Sequence, residues 1–194
     1  MTVQGGAEGG TLRQRMIVAA VELTTSTGWA HVTMSRLAQA VGVSRQTVYN
    51  EIGTKNALAE AMILAELESF LARVTTAFDE NPDNLPDAIQ AAILAVLLHA
   101  EDNPLLHAVV SATHGADTEL LPLLTTHSTQ LLELAKAVVG ERVAGYHPDL
   151  TAAELDGAID MVVRVVLSHV MQPSGTPART AAALGFVARR VLEG

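Results

Sequence analysis

The stretch from Thr33 to Lys55, TMSRLAQAVGVSRQTVYNEIGTK, constrains the fold more than any other part of the chain. Thr33 is a favoured N-cap residue, and Leu37, Ala38 and Val41 follow on one helical face. Gly42 then ends that helix, because glycine enters the left-handed C′ conformation without a Cβ penalty. Val43 is expected as a buried turn residue, and Ser44 as the cap of a second short helix reading RQTVYNEI. Two short helices joined by a three- or four-residue turn containing Gly form a helix-turn-helix, whose second helix enters the major groove of DNA. That second helix carries Arg45, Gln46, Thr47, Tyr49 and Asn50, and leaves Val48 and Ile52, at i and i+4, to hold it against the first. A helix so poor in apolar residues gains little by burial, which points to another use for its exposed face.

The flanking residues extend the pattern. A helix ending at Gly28-Trp29 precedes the motif, and Thr54-Lys55 opens a long helix after it. In this order and spacing the first third of the chain resembles the TetR family of bacterial transcriptional repressors. The sequence departs from the family pattern at two positions. Ile52 stands where an aromatic is frequent and fills the same apolar gap. Glu51 stands where His or Tyr is frequent and puts a negative charge near phosphates, so no contact is carried over there.

The resemblance implies an all-α chain. An N-terminal three-helix DNA-binding domain (residues 11–54) follows a disordered N-terminus (1–10) and precedes an effector-binding and dimerisation domain (55–194). Hydrophobic residues make up 49% and aromatics 3%, so the core must be mainly aliphatic. The absence of cysteine excludes disulfides, thiolate metal sites and thiol redox switches. The apolar run from Ala91 to Leu98 is far short of the ~20 residues of a spanning helix, and Gly5 to Gly10 lacks the features of a signal peptide. The expected location is cytoplasmic, with no membrane partner.

The net charge of −9 is unevenly placed. Through Leu58 there are five Lys or Arg against three Asp or Glu, a net of +2, and beyond it seven against eighteen. Such asymmetry suits a chain whose first part meets phosphates while the rest stays soluble. A segment at +2 is only weakly basic, so affinity must come from local placement and from two copies.

In chain order, Leu12, Met16, Ala19, Ala20 and Leu23 stripe a helix over 11–27, with Trp29 folding back as a core anchor. A helix over 55–77 follows, then the turn-rich DENPDNLP run, and then an aliphatic helix over 87–101. Further helices are expected over 105–113 and 118–143, the latter with Pro122 in its first turn. Two helices close the sequence. The one over 151–171 is apolar nearly all round, and the one from Pro177 carries a stripe of small residues, Ala178, Ala181, Ala182, Gly185 and Ala188. Leu184, Val187 and Val191 lie beside that stripe. Small residues allow close helix approach. The stripe fits either a four-helix homodimer interface, as the resembled family builds, or a buried intrachain hairpin.

The chemistry of sites is quickly bounded. His99, His107, His114 and His127 make no i, i+4 pair and no H-E-x-x-H motif, so no metal site is expected. No nucleophile elbow, P-loop or dinucleotide fingerprint occurs, so neither a catalytic residue nor a cofactor is assigned. Asp160 and Arg164 form an i, i+4 ion pair.

The expected function is a DNA-binding switch that acts on a double-stranded, palindromic operator. Arg45, Gln46, Thr47 and Asn50 are assigned to base edges or phosphates, since Arg matches guanine and Gln or Asn matches adenine. Thr33, Arg36, Ser44, Tyr49 and Lys55 are assigned to phosphates and register. The effector domain is expected to enclose a small apolar effector, fatty-acid-like by its aliphatic walls. Its candidate contacts are Leu67, Phe70, Leu71, Ile93, Leu97, Leu106, Val109, Val110, Thr113, His114, Leu124 and His127. The rival reading is a dimeric helical ligand-binding protein with a non-functional helix-turn-helix.

Overall fold

The computed structural model describes residues 10–112 and 128–192, and all their side chains except those of residues 109–112 and 128. Within these residues it is helical throughout: α1 (Leu12–Thr27), a 3-10 turn (Trp29–His31), α2 (Met34–Val41), α3 (Arg45–Glu51), α4 (Lys55–Asp79), α5 (Leu85–Glu101), α6 (Pro104–Ala112), α7 (Ser128–Ala144), α8 (Ala152–Met171) and α9 (Pro177–Leu192). Of the expected disordered segment only Gly10 is described. Residues 118–127 of the expected long helix lie outside the described residues.

Local chemistry sets the helix starts. Thr11, Thr33, Ser44, Thr54 and Thr151 each accept the N–H three residues on, satisfying donors that the helix itself cannot pair. Two boundaries differ from the expectations. Helix α5 begins at Leu85 because the Asn84 side chain accepts the Asp87 N–H at 3.1 Å, while Pro86 is harmless in a first turn. Asn103-Pro104, expected only to stop α5, also starts α6, with Asn103 Oδ1 accepting the Leu106 N–H at 2.8 Å.

Two main apolar clusters result. The first joins Met16 and Ala20 of α1, Trp29, Val32, the buried faces of α2 and α3, Leu58, Ala59 and Met62 of α4, and Leu105 of α6. The second joins the far end of α4 to α5, α8 and α9 through Val74, Phe78, Ile93, Leu97, Val166 and Ala181. Tyr146 closes that end, its hydroxyl lying 2.7 Å from Asn81 O and 3.1 Å from Phe78 O. Burial raises its pKa above the ordinary phenol value.

The small-residue stripe of α9 divides. Ala181, Gly185 and Ala188 are buried with Thr180 where α9 packs on α5, whereas Ala178 and Ala182 are exposed. A Cβ on Gly185 would fall 2.6 Å from Gln90 Oε1 and 2.8 Å from Gln90 Cβ. Both α8 and α9 pack on α5. Their larger apolar residues, Met161, Leu167 and Met171 on α8 and Phe186, Val187 and Val191 on α9, are exposed. On α8 the expected burial on several sides reduces, within one chain, to Ile159, Val163 and Val166.

Candidate nucleic-acid interface

The helix-turn-helix is fixed from below. Leu37 and Val48 are fully buried, and Ile52 at 8% exposure fills the gap beneath α3. Gly42 adopts φ +75°, and its N–H and that of Val43 both reach Ala38 O at 3.0 Å. Arg15 of α1 donates to Val41 O at 3.2 Å, tying the end of α2 to the first helix. The angle of α3 is therefore held by packing, backbone and one guanidinium together.

On the outer face of α3, Arg45, Gln46, Tyr49 and Asn50 are exposed, and Thr47 is half-buried. They stand as i, i+4 pairs. Arg45 Nη2 donates to the Tyr49 hydroxyl at 3.1 Å, and its guanidinium lies 5.3 Å from the ring centroid. Gln46 Nε2 donates to Asn50 Oδ1 at 3.0 Å. Each pair limits the rotamers of two long side chains, so less conformational entropy is lost when they meet a ligand. Tyr49 is 40% exposed and is no interhelical core residue.

The expected phosphate group divides. Thr33 and Ser44 cap their helices, and the Ser44 and Thr47 hydroxyls lie 2.8 Å apart. Arg36 donates to His31 O at 2.9 Å while staying exposed, so it braces the 3-10 turn as well as facing outward. Lys55 is half-buried, with Nζ 4.8 Å from the Trp29 ring centroid. That cation–π contact offsets the poor placement of a cation at a helix N-terminus. The sequence held both partners without showing that they meet. Glu51 is exposed at the end of α3.

The expected effector contacts are less concentrated. Leu67, Phe70 and Leu71 are half-buried on α4, Ile93 and Leu97 are buried on α5, and Leu106 is half-buried on α6. Phe70 packs on the second cluster, whereas Leu71 packs on a third made of Leu132, Ala135, Ile159 and Val163. Thr113, His114, Leu124, His127 and the side chains of Val109 and Val110 lie outside the described residues. A cavity of about 260 Å³ takes Leu97 and Leu106 from this set and completes its wall with Ala100, Glu101, His107, His169, Val170, Met171, Pro173, Gly175, Pro177 and Thr180. Sequence reasoning missed the contribution from the end of α8 and the start of α9, which is remote in the chain.

It also missed a polar group between α4, α5 and α6. Glu66 Oε1 receives His99 Nε2 at 2.7 Å and the Asn103 side-chain amide at 2.5 Å. Phe70 stacks edgewise on His99 with centroids 4.6 Å apart. Elsewhere Asp160 lies 2.7 Å from Arg164 and 3.3 Å from Lys136, which lowers its pKa chiefly through the hydrogen bond from Arg164.

Comparison with known proteins agrees with this geometry. Residues 16–62 match the model for bacterial regulatory proteins of the tetR family, and residues 84–190, over half of the chain, match the bacterial tetracyclin repressor C-terminal domain. The HTH-type transcriptional regulator AlkX of Mycobacterium tuberculosis is 29% identical over 166 residues, 84% of this chain and 76% of that one. The nucleoid occlusion factor SlmA of Marinobacter nauticus is 31% identical over 147 residues, 73% of this chain and 74% of that one. In fold, the chain is similar to the crystal structure of the TetR family repressor AlkX from Dietzia sp. strain DQ12-45-1b, implicated in biodegradation of n-alkanes. The TM-score is 0.75 at 28% identity, covering 97% and 98% of the two chains. No helix among the described residues is long and apolar enough to cross a membrane. With a helix-turn-helix built from the inside out, and family models that match residues 16–62 and residues 84–190, the chain belongs to the TetR family of bacterial transcriptional regulators.

Proposed function

We propose that the protein is a repressor that binds a palindromic operator as a homodimer and is released by a long apolar effector, fatty-acid-like in form. The observation that carries the DNA reading is the outer face of α3. Its exposed polar side chains are already paired i to i+4, while only Val48 of that helix is buried. Arg45, Gln46, Thr47 and Asn50 read base edges or phosphates, and Thr33, Arg36, Ser44, Tyr49 and Lys55 set register on the backbone.

The homodimer reading is supported by the exposed Met161, Leu167, Met171, Phe186, Val187 and Val191 on α8 and α9. These six exposed apolar side chains, on two consecutive helices that both pack on α5, offer apolar surface that a second copy would cover. In this arrangement Ala181, Gly185 and Ala188 fix α9 to α5, and the larger exposed residues meet the second copy.

The effector reading rests on aliphatic walls. Alkyl chains gain ~0.8 kcal/mol per buried CH₂, whereas planar ligands are held by aromatic surface that this chain largely lacks. The similarity to a repressor implicated in n-alkane biodegradation supports the same class of ligand. Footprinting on the DNA upstream of the protein's own coding region tests the whole reading. Two protected half-sites, centred ~34–36 Å apart or a multiple of that, are expected. Added palmitate should weaken the protection. A chain that is dimeric, binds palmitate and ignores DNA would instead be a ligand-binding protein with a silent helix-turn-helix.

A further inference from the structure

The two apolar clusters are joined where α6 begins. Leu105 is 5% exposed and belongs to the cluster that holds the DNA-binding helices, alongside Trp29, Leu58 and Met62. Its neighbour Asn103 is also 5% exposed. The Asn103 side chain acts at both ends: Oδ1 accepts the Leu106 N–H at 2.8 Å, and Nδ2 donates to Glu66 Oε1 of α4. His99 of α5 meets the same carboxylate oxygen at 2.7 Å and packs against Phe70, a proposed effector contact. A buried amide that caps one helix while holding a carboxylate of another fixes the first helix in position and in angle.

We infer that Asn103 is a positioning residue for regulation: its bond to Glu66 transmits the state of the effector domain, through Leu105, to the core beneath the recognition helix. The inference rests on the proposed effector-controlled DNA binding. An effector that displaces Phe70 or His99 disturbs the one carboxylate oxygen that anchors the start of α6. Leu105 then shifts in the DNA-binding core, and α1 and α4 move with it. Glu66 and Asn103 lie at the joint, touch neither the outer face of α3 nor the expected operator, and have a role that base contact cannot supply.

The test reverses the hydrogen bond. Asn103→Asp keeps an oxygen to cap α6 and removes the amide that Glu66 needs, leaving two carboxylates facing each other. Glu66→Gln added to Asn103→Asp restores a donor–acceptor pair in the opposite sense. Operator affinity with and without palmitate, palmitate binding by native mass spectrometry, and emission of Trp29, the chain's single tryptophan, are measured on the full-length protein. In the wild type, palmitate should weaken operator binding by about 5–150-fold, the usual range for coupled sites. Asn103→Asp should bind palmitate within about threefold of wild type yet lose most of that effect, and the double variant should recover it. Wild-type release by palmitate in Asn103→Asp overturns the inference. So does failure of the double variant to recover, when both variants melt like the wild type. If the wild type binds DNA but ignores palmitate, or ignores DNA, it is the proposed function that fails in that respect. Trp29 emission then decides the joint: it must differ in Asn103→Asp and return in the double variant, and unchanged emission overturns the inference.

Discussion

The same substitution at two glycines should change stability in opposite directions. Gly185 and Gly140 both lie inside helices, so alanine at either gains about 0.8–1 kcal/mol of helix propensity. At Gly140 the new methyl would sit 3.7 Å from Ile159 Cδ1, an ordinary van der Waals contact. Gly140→Ala should therefore stabilise the protein by about 1 kcal/mol, raising the melting temperature by roughly 2–4 °C in a chain of this size. At Gly185 the methyl would meet Gln90 Oε1 at 2.6 Å, Cβ at 2.8 Å and Cγ at 3.0 Å. The oxygen can swing aside, but the Cβ cannot move without its backbone, so α9 must part from α5. Overpacking of this kind costs about 1–3 kcal/mol, and the crowding of a backbone-attached atom places this case in the upper half. The net effect of Gly185→Ala is a loss of about 1–2 kcal/mol after the propensity gain is subtracted. Gln90→Ala should rescue it only in part, because it removes two of the three crowded atoms and leaves Cβ. Thermal and urea unfolding at one fixed protein concentration, needed because the stability of the proposed dimer would depend on it, measure all four proteins. A Gly185→Ala variant as stable as Gly140→Ala would refute the close α5–α9 approach.

Three further outcomes are expected. Arg45→Ala should relax operator sequence preference by ~1–3 kcal/mol, whereas Lys55→Ala should weaken operator and random DNA alike; titrations on both DNAs at several salt concentrations distinguish the roles. Phe186→Asp combined with Met161→Asp should convert the proposed dimer to monomer, seen by analytical ultracentrifugation, with secondary structure retained because both side chains are exposed. Tyr146→Phe should cost about 1 kcal/mol through the lost hydrogen bonding to Asn81 O, just past α4, and to Phe78 O near its end. Because the folded state raises the Tyr146 pKa, the stability it contributes is complete below the ordinary phenol value and is lost as pH rises through the folded value; urea unfolding at alkaline pH should show that loss in the wild type and not in Tyr146→Phe.

The helix-turn-helix was legible because its determinants are local. Caps at Thr33 and Ser44, a left-handed Gly42 and the apolar pair Val48 and Ile52 all act within a turn or two of themselves. Long-range partners were not legible in the same way. The small stripe on α9 announces a close helix contact but does not say which helix makes it, and the answer is α5. Leu105 reads as one more leucine in an aliphatic run. Its place among the DNA-binding helices depends on a turn at Asn103-Pro104 that sequence alone marks simply as an end. The Glu66–Asn103 bond spans thirty-seven positions, and neither residue carries a pattern that names the other.

Leu105 also bears on how such regulators can be recombined. A DNA-reading head cut from this chain after Thr54 would leave behind Leu58, Ala59, Met62 and Leu105, all of which are buried in the same cluster as Trp29 and Val48. The piece that reads DNA is therefore smaller than the piece that folds. A chimera that exchanged heads between two regulators at that boundary would pair a foreign core with a leucine shaped for another. Exchanges that carry the first part of α4 together with a matching side chain at position 105 should yield functional hybrids, and those that do not should lose operator binding before they lose their regulatory domain.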